Sequence, residues 1–193
     1  MKTESIVRAF EKIKREDFVL DEFKKEAEED IALSIGYGQT ISQPLTVVFM
    51  LELLDPKPGQ KILDVGSGSG WTTALLSYIV GKKGEVAAME RKEELKSFGE
   101  ANADKYGFVR EGIAKFILGD GSRGYQKYAP YDRILVSASA DCAPNALKDQ
   151  LGVFGKMVIP VGDSIWLMEK TGENKFRKKE YSGFMFVPLV ESK

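Results

Sequence analysis

The stretch KILDVGSGSGW, residues 61–71, places three glycines directly behind a short apolar segment that has the length of a buried strand. Gly66, Gly68 and Gly70 stand between this strand and a helix, so the backbone can approach a ligand closely at the helix N-terminus. A dinucleotide-binding fingerprint would need its third glycine where Trp71 stands, and a P-loop would need a Gly-Lys-Ser or Gly-Lys-Thr ending. The spacing therefore predicts a ligand loop of an α/β sheet that belongs to neither class.

On the carboxyl side of this loop, short apolar runs alternate with helical segments. The predicted strands are KILDVG, GEVAAME, AKFILGDG, DRILVSA and GKMVIPVG, with helices among them at 71–80, 92–106 and 145–151. Strands that are apolar on both faces and alternate with helices predict a parallel sheet covered by helices. The tail differs, because SIWLMEK (164–170) and GFMFVPLV (183–190) have no helix between them and predict an antiparallel pair. We expect a mostly parallel seven-stranded sheet with helices on both faces.

Upstream of the glycines, the sequence predicts helices without an obvious chemical role. Apolar residues recur at helical spacing over 6–13, and the charged segment 21–32 is typical of a solvated helix or strap. A further helix is expected in PLTVVFMLELL, residues 44–54, with Pro44 in its first turn and the breaker DPKPG behind it. With 193 residues, the chain is long enough for one well-buried domain and short for two.

Composition excludes several kinds of chemistry. The chain contains no histidine, which removes Ser-His-Asp and Cys-His nucleophile systems and nearly every transition-metal site, so no metal is expected. The formal net charge is −1 with dispersed basic residues, which disfavours nucleic acid as a partner. Cys142 is the single cysteine and is expected to be a small buried apolar residue in a reducing compartment. No signal peptide or membrane span is expected, and we predict a soluble, cytoplasmic monomer.

The glycine pattern with an acid before it resembles class I S-adenosylmethionine-dependent methyltransferases. Glu90 ends the next strand, roughly 20 residues beyond the glycines, where a carboxylate can accept hydrogen bonds from ribose hydroxyls. Asp120, in the GDG that follows the third strand, stands where the resembled fold contacts adenine. From this resemblance, S-adenosyl-L-methionine is the predicted cofactor. The predicted contacts in these loops are Asp64, Gly66, Ser67, Gly68, Ser69, Gly70, Glu90, Arg91, Asp120 and Gly121.

An uncharged, hydroxyl-rich segment, GYGQTISQP (36–44), resembles the signature of the protein-L-isoaspartate (D-aspartate) O-methyltransferase family. The similarity also includes IKREDFV (13–19), GDGSRGY (119–125), APYDRILVSASA (129–140) and FVPLV (186–190). The resemblance implies a Rossmann-like class I methyltransferase acting on damaged proteins that bear isoaspartyl residues, with Ser42 and Thr40 as catalytic residues. It further implies that Gln39 and Ile41 lie over the cofactor and that Ser139 and Val161 contact substrate. A purely structural alternative for Ser42 is the N-cap of the following helix.

This resemblance predicts three parts within one domain, 1–193. Residues 1–55 would form a helical and substrate-loop segment, 56–163 the cofactor-binding α/β core, and 164–193 a C-terminal β pair. The sequence departs from the family where many relatives carry histidine, since Tyr37 and Leu45 or Val47 stand at those places. It also has LGVFGK (151–156) in place of the usual Pro-Gly-Gly turn.

The implied chemistry is compatible with the missing histidine. An isoaspartyl residue presents a free α-carboxylate, whose ordinary pKa is about 3.3–3.7, so the nucleophile is already ionised at neutral pH. The protein then has to align two reactants and exclude water, which uncharged hydroxyls and backbone amides can do. Other functions remain open in the sequence: a small-molecule methyltransferase of precorrin type, a catalytically silent S-adenosylmethionine-binding module and, more weakly, an RNA methyltransferase. Acceptance of D-aspartyl sites is also open.

Overall fold

The computed structural model describes residues 2–190, with side chains from Glu4 onward. The α-helices are α1 (Lys2–Lys12), α2 (Pro44–Leu54), α3 (Trp71–Val80), α4 (Glu93–Asp104) and α5 (Asn145–Gln150). The strands are β1 (Leu33–Gly36), β2 (Gln39–Ile41), β3 (Lys61–Val65), β4 (Glu85–Glu90), β5 (Ala114–Leu118), β6 (Tyr131–Val136), β7 (Leu151–Val161), β8 (Ser164–Gly172) and β9 (Lys175–Ser182). Short 3₁₀ helices span Arg15–Phe18, Asp21–Glu26, Gly81–Lys83, Gly121–Arg123 and Gln126–Tyr128.

Seven strands form one sheet in the order β5-β4-β3-β6-β7-β8-β9. The first five are parallel, whereas β8 pairs antiparallel with β7 and β9 antiparallel with β8. The predicted α/β fold class, a mostly parallel seven-stranded sheet with antiparallel C-terminal strands, is confirmed. Because parallel strands end at the same edge, the loops that follow β3, β4, β5 and β6 meet there.

Alternating side chains of the strands fill two cores, one on each face of the sheet. Ile62, Val86 and Ala88 pack with residues of α1, α2, α3 and α4 on one face. Leu63 and Met89 belong to the other core, with Leu147 of α5. Helices therefore cover both faces, as the alternation of strands and helices predicts.

The assignment of the last strand is wrong. We expected GFMFVPLV (183–190) to pair with SIWLMEK, but the partner of β8 is β9, formed by most of the polar segment between them. A two-residue turn with Asn174 at φ 54° joins the two strands. Because β9 is an edge strand with mostly exposed residues, it tolerates the charges of KFRKKEYS, and such charges protect edges from pairing with other chains. The three-part division of the domain stays a prediction.

Residues 183–190 instead run as an irregular segment across the carboxyl edge of the sheet. Ser139 N donates to the carbonyl of Val187, and Leu189 N donates to the carbonyl of Ser139, at 2.8 and 2.7 Å. Gly183 N and Phe184 N both donate to the carbonyl of Asp163 at 3.0 Å. The segment is thereby fastened to the loops after β6 and β7.

Three local features differ from the sequence expectations. A β1–β2 hairpin, which the pattern did not predict, occupies 33–41. The residue that precedes α2 as its N-cap is Gln43, so the alternative of Ser42 as N-cap is wrong; Asp30 Oδ1 accepts from Leu45 N at 2.8 Å instead. Cys142 is exposed rather than buried, because it lies in a bend between β6 and α5 and not on a core-facing strand.

Among residues 2–190, no helix has both the length and the apolar character needed to cross a membrane. Within the same range, no group of three or more acidic or cysteine side chains is arranged to hold a metal ion.

Candidate active site

A cavity of about 310 Å³ lies at the carboxyl edge of the sheet; we call it the main cavity. Its walls come from the β1–β2 hairpin and Ser42, from the glycine loop and the start of α3, and from the end of β4 with Arg91 and Lys92. The loops after β5 and β6 and residues 187–190 complete it. Six separate segments of the chain thus converge on one cavity at the edge where α/β sheets bind ligands.

The glycine loop forms the floor of this cavity. Gly66 N and Ser67 N both donate to the carbonyl of Met89, at 2.9 and 3.1 Å, which holds the loop against the end of β4. Gly68 has a left-handed φ of 50°, and a Cβ there would lie 3.1 Å from Cδ1 of Ile35 in the hairpin. The hairpin therefore packs directly on the loop, and a side chain at position 68 would strain the backbone and force Ile35 to shift.

Glu90 ties the glycine loop to the loop after β4. Its carboxylate accepts three backbone N–H bonds: Oε2 from Gly68 at 3.0 Å, and Oε1 from Arg91 at 2.8 Å and from Lys92 at 3.0 Å. The side chain is buried and lines the main cavity. One carboxylate thus fixes the relative position of two cavity walls, and charge-assisted bonds of this kind are stronger than neutral ones.

Two residues that line the main cavity each carry a buried polar atom with no protein partner among the described residues. Ser67 Oγ and Trp71 Nε1 belong to cavity-lining residues that are only 4% and 2% exposed. Buried donors are nearly always hydrogen-bonded in folded proteins, because leaving one unpaired costs about 1–3 kcal/mol. A ligand with polar groups near the helix N-terminus is therefore what this cavity fits.

A second cavity of about 290 Å³ lies beside the main one. Both cavities are lined by Thr40, Ser42, Ser137 and Val187, which we call the shared wall. The other lining residues of the second cavity are Ala32, Gln43, Thr46, Met185 and Phe186, and none of these nine residues is charged. Two compartments that meet at small hydroxyl side chains can hold two reactants side by side.

Comparisons with known proteins agree with this arrangement. A family model described as "Protein-L-isoaspartate(D-aspartate) O-methyltransferase (PCMT)" matches residues 1–193. The chain belongs to the protein-L-isoaspartate (D-aspartate) O-methyltransferase family. It is 44% identical over 194 residues to the protein-L-isoaspartate O-methyltransferase of Methanopyrus kandleri, covering 98% of this chain and 85% of that protein.

Solved structures show the same relationship. A structure named protein-L-isoaspartate O-methyltransferase superposes with a TM-score of 0.89 at 26% identity, covering 97% of this chain and 62% of that one. A Plasmodium falciparum protein, described as a putative protein-L-isoaspartate O-methyltransferase in complex with S-adenosyl-L-homocysteine, superposes with a TM-score of 0.86 at 24% identity; the match covers 98% of this chain and 91% of that one. The second likeness shows the shared fold.

Most cofactor residues that the sequence predicts for this methyltransferase line the main cavity. Those are Gln39, Ile41, Gly66, Ser67, Gly68, Ser69, Glu90, Arg91 and Gly121, together with the predicted catalytic residues Thr40 and Ser42. Three do not line it. Asp64 faces α3 because strand side chains alternate, Gly70 packs its backbone against Gly99, and the Asp120 carboxylate accepts from Ser122 N and Oγ at 3.0 and 2.7 Å.

Neither predicted substrate contact lines either cavity. Ser139 donates its hydroxyl to the carbonyl of Gly162 at 3.0 Å, and its backbone holds residues 187–189. Val161 is 8% exposed and belongs to the core on the α5 face of the sheet. Ser139 therefore holds the C-terminal segment of the methyltransferase through its backbone, and Val161 is a core residue.

Sequence reasoning missed several lining residues. Trp71 and Thr72 read as ordinary core positions of α3, and residues 187–190 read as an edge strand. Tyr37 and Lys92 come together from opposite walls, with the Lys92 ammonium 5.8 Å from the centre of the Tyr37 ring. Only Tyr37 carried a local signal, since it lies inside the uncharged segment 36–44.

Asp64 is a buried carboxylate on β3, just before the glycine loop, and its contacts are structural. Its Oδ2 accepts from the hydroxyls of Thr72 at 2.9 Å and Thr73 at 2.7 Å, which joins β3 to the first turn of α3. Burial raises the pKa of Asp64 from 3.8 to about 6, the two threonine bonds oppose this, and the nearby Glu90 adds to it. Between about pH 4 and 6, the folded protein thus holds a proton at Asp64 that the unfolded chain would release.

We expect Asp64→Asn to change how stability depends on pH. Between roughly pH 4 and 6 the folded state binds more protons at Asp64 than the unfolded state, so this residue lowers the free energy of unfolding as pH rises. A shift from 3.8 to about 6, at about 1.4 kcal/mol per unit, makes that loss about 3 kcal/mol above pH 6. Asparagine keeps a carbonyl acceptor for both threonines and has no charge.

Urea unfolding of both proteins from pH 4 to 7 measures the effect. The free energy of unfolding of the variant should rise relative to wild type by about 3 kcal/mol across that range. Glu93→Gln, at an exposed position of α4, controls for the removal of one carboxylate. A difference between Asp64→Asn and wild type that is constant with pH would contradict the prediction.

Proposed function

We propose that this chain transfers a methyl group from S-adenosyl-L-methionine to the free α-carboxylate of L-isoaspartyl residues in damaged proteins and peptides. The observation that carries the proposal is the shared wall, where the main and second cavities meet at Thr40 and Ser42. Membership of the protein-L-isoaspartate methyltransferase family supports the same reaction. The main cavity takes the cofactor and the second cavity takes the isoaspartyl residue.

The residues of the main cavity fit the cofactor. Glu90 stands where its carboxylate can accept hydrogen bonds from ribose hydroxyls. The unpaired Ser67 Oγ and Trp71 Nε1 are available for the polar end of the molecule, near the N-terminus of α3 where negative charge is favoured. The bound cofactor supplies an electrophilic methyl group on a sulfonium sulfur.

The residues of the shared wall align the acceptor. Ser42 and Thr40 offer hydroxyl donors that orient the isoaspartyl carboxylate toward the main cavity. No base is needed, because a free α-carboxylate has an ordinary pKa of about 3.3–3.7 and is ionised at neutral pH. A cation tightly paired with the carboxylate would blunt its nucleophilicity, so an uncharged second cavity suits the reaction. The Leu45 N–H at the N-terminus of α2 is not available to bind the isoaspartyl carboxylate, because it already donates to Asp30 Oδ1.

The test is the transfer of labelled methyl groups to a peptide containing L-isoaspartate, beside its normal aspartyl twin. We expect label only in the isoaspartyl peptide. In Ser42→Ala the turnover should fall about 10-fold or more, because a hydroxyl bond to a charged group contributes about 1.5–3 kcal/mol. Ser97→Ala, at an exposed position of α4, is the matched control and should retain wild-type turnover.

The alternatives from the sequence predict other outcomes. A silent cofactor-binding module would bind S-adenosyl-L-homocysteine in calorimetry and label neither peptide. A small-molecule methyltransferase would also bind S-adenosyl-L-homocysteine and label neither peptide, but it would label a corrin precursor. Label in both peptides would show that the enzyme does not recognise the isoaspartyl linkage, and the repair function would be wrong.

A further inference from the structure

Arg15 is a buried cation that the proposed reaction does not use directly. It begins the 3₁₀ helix Arg15–Phe18, is 4% exposed, and lines neither cavity. Burial lowers the pKa of its guanidinium, and the nearby charges of Glu28 and Asp30 oppose this. Because a buried charge is costly unless it is well hydrogen-bonded, the hydrogen bonds of the guanidinium decide whether Arg15 can be buried here.

The guanidinium donates to four backbone carbonyls. Nη1 donates to the carbonyls of Ala27 at 2.8 Å and Glu29 at 3.3 Å. Nη2 donates to the carbonyls of Ile31 at 2.7 Å and Ser42 at 3.2 Å. Three of these acceptors belong to residues 27–31 and the fourth is the residue we place at the acceptor. The planar fork of arginine can bridge such a set, whereas the single ammonium of lysine cannot.

The same guanidinium lies over the ring of Trp71, with its Cζ 5.3 Å from the ring centroid. Trp71 is the first residue of α3 and lines the main cavity. Phe10 packs edge-on against the same ring, with centroids 5.4 Å apart. Arg15 thus contacts one residue of the shared wall and one residue of the cofactor side.

Residues 27–31 are joined to the start of α2 a second time through Asp30. Its Oδ1 accepts from Leu45 N at 2.8 Å, and its Oδ2 accepts from Gln43 Nε2 at 2.7 Å. Residues 27–31 therefore lie along residues 42–45 and are hydrogen-bonded to them; we call residues 27–31 the splint. Arg15 connects the splint to Trp71. A shift of the splint would move Ser42 relative to the main cavity.

We propose that Arg15 is a positioning residue for methyl transfer: its guanidinium holds the Ser42 backbone and the Trp71 ring in one fixed arrangement, so that the acceptor faces the cofactor. The proposal rests on the function proposed above for Ser42. It assigns to Arg15 an effect on turnover beyond its effect on stability.

The first test compares Arg15→Lys and Arg15→Met with Arg8→Met, whose side chain is exposed on α1 and pairs with Glu4. Turnover of the isoaspartyl peptide is measured per cofactor site, with the sites counted by calorimetric titration of S-adenosyl-L-homocysteine. We expect kcat per site to fall about 10-fold or more in both Arg15 variants, because a small misplacement of reacting groups is costly. The KM for the peptide should change less than kcat, and Arg8→Met should match wild type. Wild-type kcat per site in Arg15→Lys would show a merely structural role and overturn the proposal.

A spectroscopic readout keeps the inference testable independently of the reaction. The chain has two tryptophans, Trp71 and Trp166, and Lys178 lies over the ring of Trp166 at 3.7 Å. In protein labelled with 5-fluorotryptophan, Arg15→Lys should shift the Trp71 resonance and change its response to S-adenosyl-L-homocysteine. Lys178→Met is the matched control and should shift only the Trp166 resonance.

These readouts separate the two proposals. If wild type does not methylate the peptide, the proposed function fails and the role of Arg15 in methyl transfer fails with it, whereas the Trp71 resonance still decides whether Arg15 holds the Trp71 ring. An unchanged Trp71 resonance with an unchanged ligand response in Arg15→Lys overturns the positioning role. Should Arg15→Met fail to fold, Arg15→Lys and Asp30→Ala remain, the second of which loosens the other end of the splint and should also lower kcat per site.

Discussion

Gly70→Ala should lower the free energy of unfolding by about 3 kcal/mol or more. Gly70 has φ 85°, where an alanine is strained, and a Cβ there would lie 2.5 Å from the carbonyl oxygen and 2.9 Å from the Cα of Gly99. Both of these atoms are backbone of α4, so they cannot rotate away as a side chain could. The start of α3 would have to separate from α4, and the glycine loop would move with it.

Gly81→Ala is the matched control, because Gly81 lies at the other end of the same helix. It has φ 64°, and a Cβ there would meet nothing within 4 Å. Its loss should therefore be the backbone strain alone, about 1–3 kcal/mol, because φ 64° with ψ −170° is a conformation that glycine adopts far more readily than alanine. Urea unfolding of both variants measures the difference between their free energies of unfolding. The dependence of the free energy on urea concentration is compared as well, to confirm that both variants unfold from equally compact states. Equal losses would mean that α3 and α4 accommodate the methyl group, and the close approach of the two helices would not limit the sequence.

Glu90→Gln should weaken the binding of S-adenosyl-L-homocysteine about 10- to 100-fold, which corresponds to about 1.4–2.8 kcal/mol. The carboxylate accepts N–H bonds at both oxygens, from Gly68 and from Arg91 and Lys92. Glutamine has one oxygen, and its amide nitrogen would face a backbone N–H on the other side. The variant would therefore lose a hydrogen bond on one side of the carboxylate, although the Met89 carbonyl still holds Gly66 and Ser67, and the ligand would lose an anionic acceptor.

Glu85→Gln controls for a carboxylate on the same strand. Glu85 lies at the opposite end of β4 and pairs with Lys115 at 2.7 Å, away from the residues that line the main cavity. Isothermal titration calorimetry should show wild-type affinity for this variant. If Glu90→Gln also binds the ligand with wild-type affinity, the carboxylate neither shapes the cavity nor contacts the cofactor.

The parts that sequence could predict are those with local causes. The glycine loop needs positive φ immediately behind a strand, so its position is encoded in consecutive residues. The position of Glu90 in the site is predictable, because ligands bind at the carboxyl ends of the strands of a parallel sheet and Glu90 ends β4. Asp64 carried an overlooked signal: it alternates with Leu63 and Val65, so it had to face α3 when they face the other core.

The parts that sequence could not predict depend on distant contacts. Polar residues 175–182 pair with β8, whereas apolar residues 183–190 are held elsewhere by backbone hydrogen bonds of Val187 and Leu189 with the distant Ser139. The role of Arg15 depends on backbone carbonyls 12 to 27 positions away. Every residue type has a backbone carbonyl, so the sequence does not mark these acceptors. Cys142 is exposed because a bend follows β6, although its apolar character is typical of a core position.

The irregular segment 183–190 follows the last strand of the sheet and completes the wall of the main cavity. A nascent polypeptide that has emerged from the ribosome through Ser182 already contains all seven strands of the sheet. It still lacks Val187, Pro188, Leu189 and Val190, which close the main cavity. The sheet can therefore form before residues 187–190 complete the cavity wall, and cofactor binding favours the state in which those residues are in place.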